Sequence, residues 1–574
     1  MPIHNEQVAQ VFDEIADLLD IRGENAFRIR AYRNAARELR GLSREVSAMV
    51  DAGVDLTALP GIGQALAAKI DEICHTGTCQ ALKRLERELP PDLTELLRLP
   101  GLGPKRVHAL HYDLDIHTPA QLYQAAKGGR LRELHGFGPK TESRIIAALE
   151  SDLVTEHRLG LATAARYAGP LVQWLEGGDG VDRVIPAGSY RRCRETVGDL
   201  DILVTARDPR AVMDRFAGYD EVAEVRARGD TRATVVLTCG LQVDLRVVES
   251  ASLGAALHYF TGAKAHSIAI RTLARARGLK INEYGVFKGA NRVAGETEES
   301  VFAAVGLPFI PPELREDRGE IEAARNGLLP DLVRREDLRG DLHCHTKASD
   351  GHADILQMAL ASRAAGLTYL AITDHSKRLA MVHGLDSRRL LQEMDEIDHI
   401  NADLKGFRIL KGIEVDILED GGLDLPDAVL GRLDLVIGAV HSRFDLGRAK
   451  QTRRILRALD HPHFGILAHP TGRLIGEREP YELDMTRVIR HARDRGCYLE
   501  LNANPQRLDL TDIHCQEARE EGVLVAIDSD AHGTQDLDNL GHGIAQARRG
   551  WLEARDVLNS RPLDALLPLL QQTM

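Results

Sequence analysis

The sequence lacks several features that would assign it to a specialised class of protein. Its 574 residues contain 7 cysteines and no pair in C-x-x-C spacing, so neither a disulfide framework nor a thiolate zinc module is indicated. No apolar run approaches membrane-spanning length, and the N-terminal MPIHNEQVAQ does not have the form of a signal peptide. Positive charge is not in excess: a net charge of −13 argues against wholesale coating of nucleic acid but still allows a local basic face. We therefore expect a cytoplasmic, multidomain protein that does not contact membranes.

Three short glycine motifs recur near the N-terminus. They are LPGIG (59–63), LPGLG (99–103) and LHGFG (134–138), and each lies between two apolar helical stretches. Two glycines permit a tight turn, after which the next helix presents free backbone N–H groups that suit a phosphate oxygen of a duplex. Helix-breaking turns in an all-helical bundle are the alternative, but three copies favour phosphate binding. The predicted DNA contacts are Gly61, Gly63, Gly101, Gly103, Gly136 and Gly138.

These turns resemble the helix-hairpin-helix motifs of family X DNA polymerases. The segments FRIRAYRNAARELR and LPGIGQALAAKIDEI match the spacing of the N-terminal lyase domain of polymerase beta. The resemblance places Lys69 where relatives with lyase activity carry the lysine that forms a Schiff base, and it places Tyr32 at a nearby pocket position. Arg28 and Ala65 depart from the pattern, because that relative has lysines there. Lys69 could equally be a phosphate contact or an ordinary surface lysine.

Three aspartates lie in two strand-like runs further along the chain. Asp199 and Asp201 are two residues apart in VGDLDILVTA, so in a strand both project from the same face. Asp244 lies in a second such run, LQVDLRVV. Three carboxylates repel one another unless cations lie between them, and they suit a pair of Mg²⁺ or Mn²⁺ ions that would catalyse nucleotidyl transfer. Exposed strand-end aspartates are the alternative.

A Gly-Ser turn followed by two arginines precedes the aspartates, and exposed strand ends would not explain it. Such a turn offers backbone N–H and hydroxyl donors, and arginine binds phosphate by two parallel hydrogen bonds. This region resembles the nucleotidyltransferase palm of family X, and HYFTGAKAHSIAIR (258–271) resembles the thumb segment that packs against the incoming sugar and base. Ser267 departs from the pattern, since many members carry asparagine there. This departure puts the fidelity of synthesis or the strength of nucleotide binding in doubt. The nucleotide contacts that the resemblance implies are Gly188, Ser189, Arg192, Gly198, Tyr259, Phe260, Gly262 and Ser267.

Seven β-like runs follow one another after residue 338, mostly separated by charged helical segments. Their alternation predicts parallel strands joined by helical crossovers, hence an α/β barrel or a wound sheet. Six of the runs close on a side chain that can bind metal, and in a parallel barrel these ends open onto one face. A lone histidine on an apolar strand is usually a core residue, but six coincidences favour a metal site. The predicted ligands are His343, His345, Asp350, His375, Glu414, His441, His469, Asp530 and His532.

Nine nitrogen and oxygen ligands are too many for one ion and suit two or three ions of Zn²⁺, Mn²⁺ or Fe²⁺. Cys344 alternates with two of the histidines, so we expect it to face the opposite side and pack. Asp374 and His352 are expected to support the ligands or lie in loops. The pattern resembles the polymerase-and-histidinol-phosphatase (PHP) domain, a distorted seven-stranded β/α barrel that binds three metals. The expected chemistry is hydrolysis of a phosphate ester.

The resemblance covers essentially the full chain and implies a multidomain α+β and α/β architecture. Its predicted parts are a helical DNA-binding, lyase-like domain (1–90), fingers with helix-hairpin-helix motifs (91–150), a nucleotidyltransferase palm (151–250), a thumb (251–317), a charged linker (318–337) and a distorted (β/α)₇ PHP barrel (338–574).

The resemblance also implies a function in DNA repair. We expect a monomeric DNA polymerase that fills short gaps in gapped or primer–template DNA from deoxynucleoside triphosphates. Its PHP domain would supply a Mn²⁺-stimulated 3′→5′ exonuclease, extending to abasic-site endonuclease activity. Two alternatives stay open. In one, the PHP domain is a phosphatase of small metabolite esters and the front half is an adaptor; in the other, the chain is a non-catalytic DNA-end scaffold with structural metal sites.

Overall fold

The computed structural model describes residues 5–42, 46–59, 61–89, 93–97, 102–134, 137–138, 141–143, 145–146 and 158–573. The chain divides into two compact units, Met1–His157 and Arg158–Met574. Within the described ranges, no helix combines the length and the apolar character that a membrane crossing requires.

The first unit is helical throughout its described residues. Apolar side chains at helical spacing face inward to form one core, as in the first helix, where Phe12, Ile15 and Leu19 are at most 1% exposed. Gly77, in the left-handed conformation, ends the fourth helix. The helices are α1 (Asn5–Ile21), α2 (Ala26–Gly41), α3 (Val46–Asp51), α4 (Gln64–Thr76), α5 (Gln80–Glu88), α6 (Leu93–Leu97), α7 (Pro104–Leu114) and α8 (Pro119–Lys127).

The second unit begins with the palm, which is built on a five-stranded sheet. Its elements are β1 (Leu159–Gly160), α9 (Leu161–Glu176), β2 (Val181–Pro186), α10 (Gly188–Arg191), β3 (Thr196–Val197), β4 (Asp199–Ala206), α11 (Pro209–Ala217), β5 (Val222–Arg228), β6 (Arg232–Leu237) and β7 (Gln242–Val247). The strand order is β2-β4-β7-β6-β5, with β4 and β7 parallel and the other neighbours antiparallel. Buried side chains such as Leu171 and Phe216 pack α9 and α11 against the apolar strand residues. The parallel pair sets two acidic strands side by side.

The thumb follows the palm directly. It comprises α12 (Leu253–Thr261), α13 (Lys264–Ala276), an antiparallel sheet of β8 (Lys280–Asn282), β9 (Gly285–Lys288) and β10 (Asn291–Ala294), then α14 (Glu298–Ala304) and α15 (Glu320–Asn326). The segment predicted as a linker contains α15 and buries Glu320, Leu332 and Val333. The Glu320 carboxylate accepts hydrogen bonds from the backbone of Asp317 and Arg318. This segment is therefore packed into the second unit despite its charged composition.

The rest of the chain forms the predicted seven-stranded parallel barrel. Its elements are β11 (Gly340–Asp341), α16 (Ile355–Ala364), β12 (Tyr369–Ile372), α17 (Ser387–Asp403), β13 (Arg408–Asp416), α18 (Asp427–Leu430), β14 (Leu435–Ala439), α19 (Arg448–Leu459), β15 (Ile466–Leu467), α20 (Met485–Arg495), β16 (Tyr498–Asn502), α21 (Asp512–Glu521), β17 (Val525–Asp528), α22 (Leu540–Arg549) and α23 (Leu563–Gln571). The strands are hydrogen-bonded in chain order. A parallel bridge between Cys344 and Ala531 links the first and last strand ends, which nearly closes the barrel. The expectation of a distorted (β/α)₇ barrel is confirmed.

Candidate active sites

The described glycine turns of the first unit share one backbone arrangement. The carbonyls of Gly63, Gly103 and Gly138 each accept two N–H groups of the following turn, as at the start of a helix. Gly61 has a φ of +74°, a conformation that side chains disfavour. Within the described part of the chain, no atom lies within 4 Å of a Cβ placed at any of these four glycines, which leaves room for a phosphate backbone to approach closely. Gly101 and Gly136 lie outside the described residues.

Lys69 lies on α4 beside a cleft of about 440 Å³ that is lined by Arg28, Lys69, Gln80, Ala81 and Arg84. Its Nζ donates a hydrogen bond to the carbonyl of Ala65, 2.9 Å away. Tyr32 is buried and contacts Phe12 edge-on, and burial raises the pKa of its hydroxyl. A cleft with three basic side chains suits a phosphate and also suits a lysine nucleophile. The interpretations of Lys69 therefore both remain predictions.

The palm aspartates lie on the two parallel strands. Asp201 of β4 is the direct neighbour of Asp244 of β7, and Asp199 precedes Asp201 on the same face. Burial, followed by the charges of Asp199 and Asp244, raises the pKa of Asp201 to about 7. Burial and the charge of Asp244 also raise the pKa of Asp199. Three carboxylates thus crowd together at a cost in free energy that a divalent cation would relieve.

Neighbouring donors hold Asp244 within its own sheet. Its carboxylate accepts hydrogen bonds from Thr234 Oγ1 at 2.6 Å and from Gln242 Nε2 at 2.8 Å. Among the described residues, the groups of three or more possible ligands whose donor atoms all lie within 4.8 Å of one another are in the barrel, and the palm aspartates do not form one. The palm carboxylates are close neighbours, but their oxygen atoms do not form a compact group of possible metal ligands.

The turn that precedes β4 lies directly over the aspartates. Gly188 has a φ of +63°, and a Cβ on it would lie 2.5 Å from Asp201 Oδ2, so only glycine fits. The guanidinium of Arg192 donates hydrogen bonds to Glu316 at 3.0 Å and to the carbonyl of Thr261 at 2.7 Å. Ser189 is half-buried, and Gly198 lies under the guanidinium of Arg158. Four of the predicted triphosphate contacts therefore surround the carboxylates, one of them already paired with a glutamate.

The predicted sugar and base pocket lies where α12 ends and α13 begins. Tyr259 and Phe260 contact each other edge-on with ring centroids 4.9 Å apart, and Arg246 lies over the Phe260 ring. Gly262 is crowded by Ser267, whose Oγ lies 3.0 Å from a Cβ placed on that glycine. Ser267 donates a 3.4 Å hydrogen bond to the carbonyl of Gly262.

At the mouth of the barrel, the structure brings all nine predicted ligands together. Each follows or ends a strand, as the parallel arrangement requires. Three groups have all donor atoms within 4.8 Å of one another, and they share members: His345, Asp350, His375 and His532; His343, His345 and Asp530; and His375, Glu414 and His441. The ninth residue, His469, contacts Glu414 with Nε2 and Oε1 2.9 Å apart.

Glu414 lies at the centre of this cluster. Its carboxylate is 2.7 Å from His375 Nδ1 and 3.2 Å from His441 Nε2. Burial alone would raise the pKa of Glu414, but the surrounding histidines hold it well below its usual value. Burial opposes the charge on His375 as well, yet Glu414 and Asp350 raise the pKa of that imidazole to about 10. Without an ion, buried acids and imidazoles thus neutralise each other.

Two ligands also adopt unusual backbone conformations. His469 has a φ of +27° and Asp530 a φ of +52°, a region that non-glycine residues rarely occupy. Strain of this kind persists where the surrounding structure fixes it, and it is frequent at functional sites. Both side chains point into the cluster as a consequence.

Supporting residues hold the ligands in place, and the sequence analysis missed most of them. Glu500 of β16 accepts a 2.5 Å hydrogen bond from His343 Nδ1, and Asp416 lies 3.1 Å from His441 Nδ1. Asp374, which was predicted to support the site, accepts hydrogen bonds from Thr346. Glu500 and Asp416 occupy strand positions that alternate with apolar residues, and that alternation was the available signal.

Cys344 and His352 behave as expected. Cys344 is fully buried and its Sγ contacts the carbonyl of Ala371, on the side away from the ligands. His352 is exposed and belongs to none of the ligand groups. Arg507 is a further residue that only the tertiary structure reveals, since its Nε lies 3.6 Å from Asp530 Oδ2.

The donor set of the barrel fits divalent transition metals. It combines six imidazoles with three carboxylates and no thiolate, a mixture that suits Zn²⁺, Mn²⁺ or Fe²⁺. His345 Nδ1 is buried and has no hydrogen-bond partner within the described part of the chain. Outer hydrogen bonds from ligand imidazoles to carboxylates, as between His343 and Glu500, are typical of metal sites.

Comparisons with known protein families match four segments of the chain. Family models match a helix-hairpin-helix domain at residues 3–79, a SAM-like helix-hairpin-helix tandem at 93–151, a DNA polymerase beta thumb at 256–316 and a PHP domain at 341–504.

Curated relatives extend over the whole chain or parts of it. A DNA polymerase/3′-5′ exonuclease PolX from Bacillus subtilis (strain 168) is 39% identical over 565 residues, which are 98% of each chain. A DNA polymerase lambda from Rattus norvegicus is 24% identical over 54% of this chain and 56% of its own length. A probable phosphatase from Thermoanaerobacter sp. (strain X514) is 29% identical over 38% of this chain and 89% of its own length. The chain therefore belongs to the family X DNA polymerases of bacteria and archaea that carry a C-terminal PHP domain.

Proposed function

We propose that this protein is a DNA polymerase that fills short gaps in DNA repair and that also trims 3′ ends through its PHP barrel. The observation that carries the proposal is the presence of two separate acidic centres in one chain. One is the set of aspartates on β4 and β7 under a glycine turn, and the other is the nine-residue cluster at the barrel mouth.

In the palm, Asp199, Asp201 and Asp244 would hold two Mg²⁺ or Mn²⁺ ions. When bound, such ions activate a 3′-hydroxyl and neutralise charge on the triphosphate. The turn would supply the contacts to the triphosphate. Gly188 lets the backbone approach the phosphates closely, and Ser189, Arg192 and Gly198 offer hydrogen-bond donors to them. Tyr259, Phe260, Gly262 and Ser267 would line the space for the sugar and base.

In the barrel, the nine ligands would hold two or three ions of Mn²⁺, Zn²⁺ or Fe²⁺. Bound ions of this kind polarise a phosphoryl oxygen and lower the pKa of water. The chain's own residues orient the ligands, because Glu500 and Asp416 fix the imidazoles of His343 and His441. Arg507, next to Asp530, places a positive charge beside the ligand cluster.

The helical first unit would bind gapped or primer–template DNA through the backbone of its glycine turns, with the protein acting as a cytoplasmic monomer. Lyase activity of Lys69 stays a prediction. Borohydride trapping of a nicked abasic-site duplex tests it, with Arg84→Gln as a matched control in the same cleft. Trapping that survives Lys69→Ala would exclude this lysine as the nucleophile.

Two assays on one primer–template test the proposed function. We expect single-nucleotide incorporation into a one-nucleotide gap to be lost in Asp244→Ala, and trimming without nucleotides to persist in Asp199→Ala. A protein that trims no DNA but hydrolyses a small metabolite ester would favour the phosphatase alternative, which the similarity to a probable phosphatase keeps in view. Failure of both reactions with metal-loaded protein would favour the scaffold.

A further inference from the structure

The end of α22, in the PHP barrel, lies against the nucleotide turn of the palm. Arg549 is the last residue of α22 and is 4% exposed. One nitrogen of its guanidinium donates to the backbone carbonyl of Arg192 and to Glu316 Oε1, each at 2.9 Å. Its second terminal nitrogen donates to Asp512 Oδ2 of α21 at 2.7 Å. One barrel side chain thus connects the turn, the end of the thumb and the barrel itself.

Glu316 connects this arginine to the side chain of Arg192. The same Oε1 atom accepts hydrogen bonds from Arg192 Nε at 3.0 Å and from Arg549 Nη1 at 2.9 Å. Arg192 also donates to the carbonyl of Thr261, which lies between Phe260 and Gly262 of the predicted sugar pocket. Both the backbone and the guanidinium of Arg192 are therefore fixed by contacts in which Arg549 takes part.

The charges at this contact are unequal. The guanidinium groups of Arg192, Arg194, Arg318 and Arg549 surround the two carboxylates of Glu316 and Asp512. Burial would raise the pKa of Glu316, but Arg549 and Arg192 lower it to about 2, so it is ionised in neutral solution. Positive charge therefore exceeds negative charge among these six side chains.

Further contacts hold the barrel against the palm and thumb around this arginine. Arg548 pairs with Glu313 at 2.7 Å, and Trp551 lies in the hydrophobic core of the thumb. On the other side, Arg473 pairs with Glu195, three residues after Arg192, at 2.7 Å. Arg549 therefore lies within a packed contact, where its position is determined by more than one partner.

We propose that Arg549 of the PHP barrel is a positioning residue for the polymerase reaction, which holds the nucleotide turn and the Arg192 side chain in place to receive the triphosphate. This inference rests on the proposed role of the turn in nucleotide binding. Lysine can replace this residue only in part, because a single ammonium does not reproduce the planar fork that reaches three acceptors.

The test measures both activities of the full-length protein. Single-nucleotide gap filling is titrated with nucleotide for the wild type, Arg549→Met, Arg549→Lys and Arg318→Met, and trimming of the same primer is measured without nucleotides. Arg318→Met is the matched control, because Arg318 contacts the same Asp512 oxygen but not the turn. We expect Arg549→Met to raise the nucleotide KM by about tenfold or more while trimming stays within about twofold, with Arg549→Lys in between.

Two results would overturn the inference: a nucleotide KM within about twofold of the wild type in Arg549→Met, or equal losses of both activities in Arg549→Met and Arg318→Met. If Arg549→Met does not fold, Asp512→Asn is measured in its place, because this change weakens the contact that holds Arg549 from the barrel side. A nucleotide KM that rises about threefold supports the role, whereas an unchanged KM contradicts it. Asp201→Asn separates the two claims, because gap filling that survives this change removes the proposed function itself.

Discussion

The palm and the barrel both gather acidic side chains on parallel strands, but they hold them in different ways. In the barrel, six imidazoles lie among three carboxylates, and Glu414 contacts several of them within hydrogen-bonding distance. In the palm, the carboxylates lie beside one another and beside donors such as Arg232, whose Nη2 is 3.4 Å from Asp244 Oδ1, and burial raises the pKa of Asp201 to about 7. A ligand set of mixed charge can form a compact site before any ion arrives. Neighbouring carboxylates repel one another, and divalent cations would relieve that repulsion.

The largest expected effect is the separation of the two activities by changing a barrel ligand. We expect His343→Ala to lower trimming at least about a thousandfold, since the loss of a ligand removes several kcal/mol of transition-state stabilisation. Gap filling should stay unchanged. A primer-trimming time course with Mn²⁺, together with metal analysis of the purified protein, measures this. His352→Ala is the control in the same segment, and equal loss in both variants would contradict the ligand role.

The reciprocal change is in the palm. Asp201→Asn should lower gap filling by about a thousandfold or slightly less, because the proposed palm ions would lose a carboxylate ligand, while trimming persists. Burst incorporation of one nucleotide measures the chemical step. Asp182→Asn, an exposed aspartate on β2, is the matched control. If Asp201→Asn abolished trimming too, the two centres would not be independent.

A change at the glycine turn tests how closely the palm is packed over its aspartates. Gly188→Ala should cost about 1–2 kcal/mol for the left-handed backbone conformation. The new Cβ also meets Asp201, so gap filling should fall by a further factor of about ten or more. Thermal unfolding measures the loss of stability, and nucleotide titration measures the loss of gap filling. Gly240→Ala, at a φ of +85° with open space around its Cβ, should show the backbone cost alone.

The smallest effect is in the pH dependence of metal binding. Bound metal competes with the proton, so palm affinity for Mn²⁺ should fall about tenfold per unit below pH 7 and level off above it, because Asp201 has a pKa of about 7. The pKa of His375 is about 10, so barrel affinity should continue to rise with pH through 9. Electron paramagnetic resonance measures Mn²⁺ binding as a function of pH. Binding to His343→Ala reports the palm site, and binding to Asp201→Asn reports the barrel site. Identical pH profiles of Mn²⁺ binding at the two sites would contradict the proposed difference between the palm and the barrel.

Much of the barrel could be predicted from the sequence because strand ends in a parallel barrel converge whatever lies between them. The placement of Cys344 followed from alternation along a strand for the same reason. Arg507 could not be found in this way, since its contact with Asp530 joins two loops. Arg192 was predicted as a nucleotide contact, but its pairing with Glu316 was not, since that contact joins residues far apart in the chain.

The sequence by itself determined the fold class, and it predicted the order of the domains along the chain and the side chains of the two proposed centres. Local spacing carries that information, because it fixes which side chains share a strand face or a strand end. Only the tertiary structure decided that the barrel centre is compact while the palm centre is not, and that Arg549 reaches the nucleotide turn. Those facts depend on long-range packing and on the balance of burial against charge, which no short stretch of sequence contains.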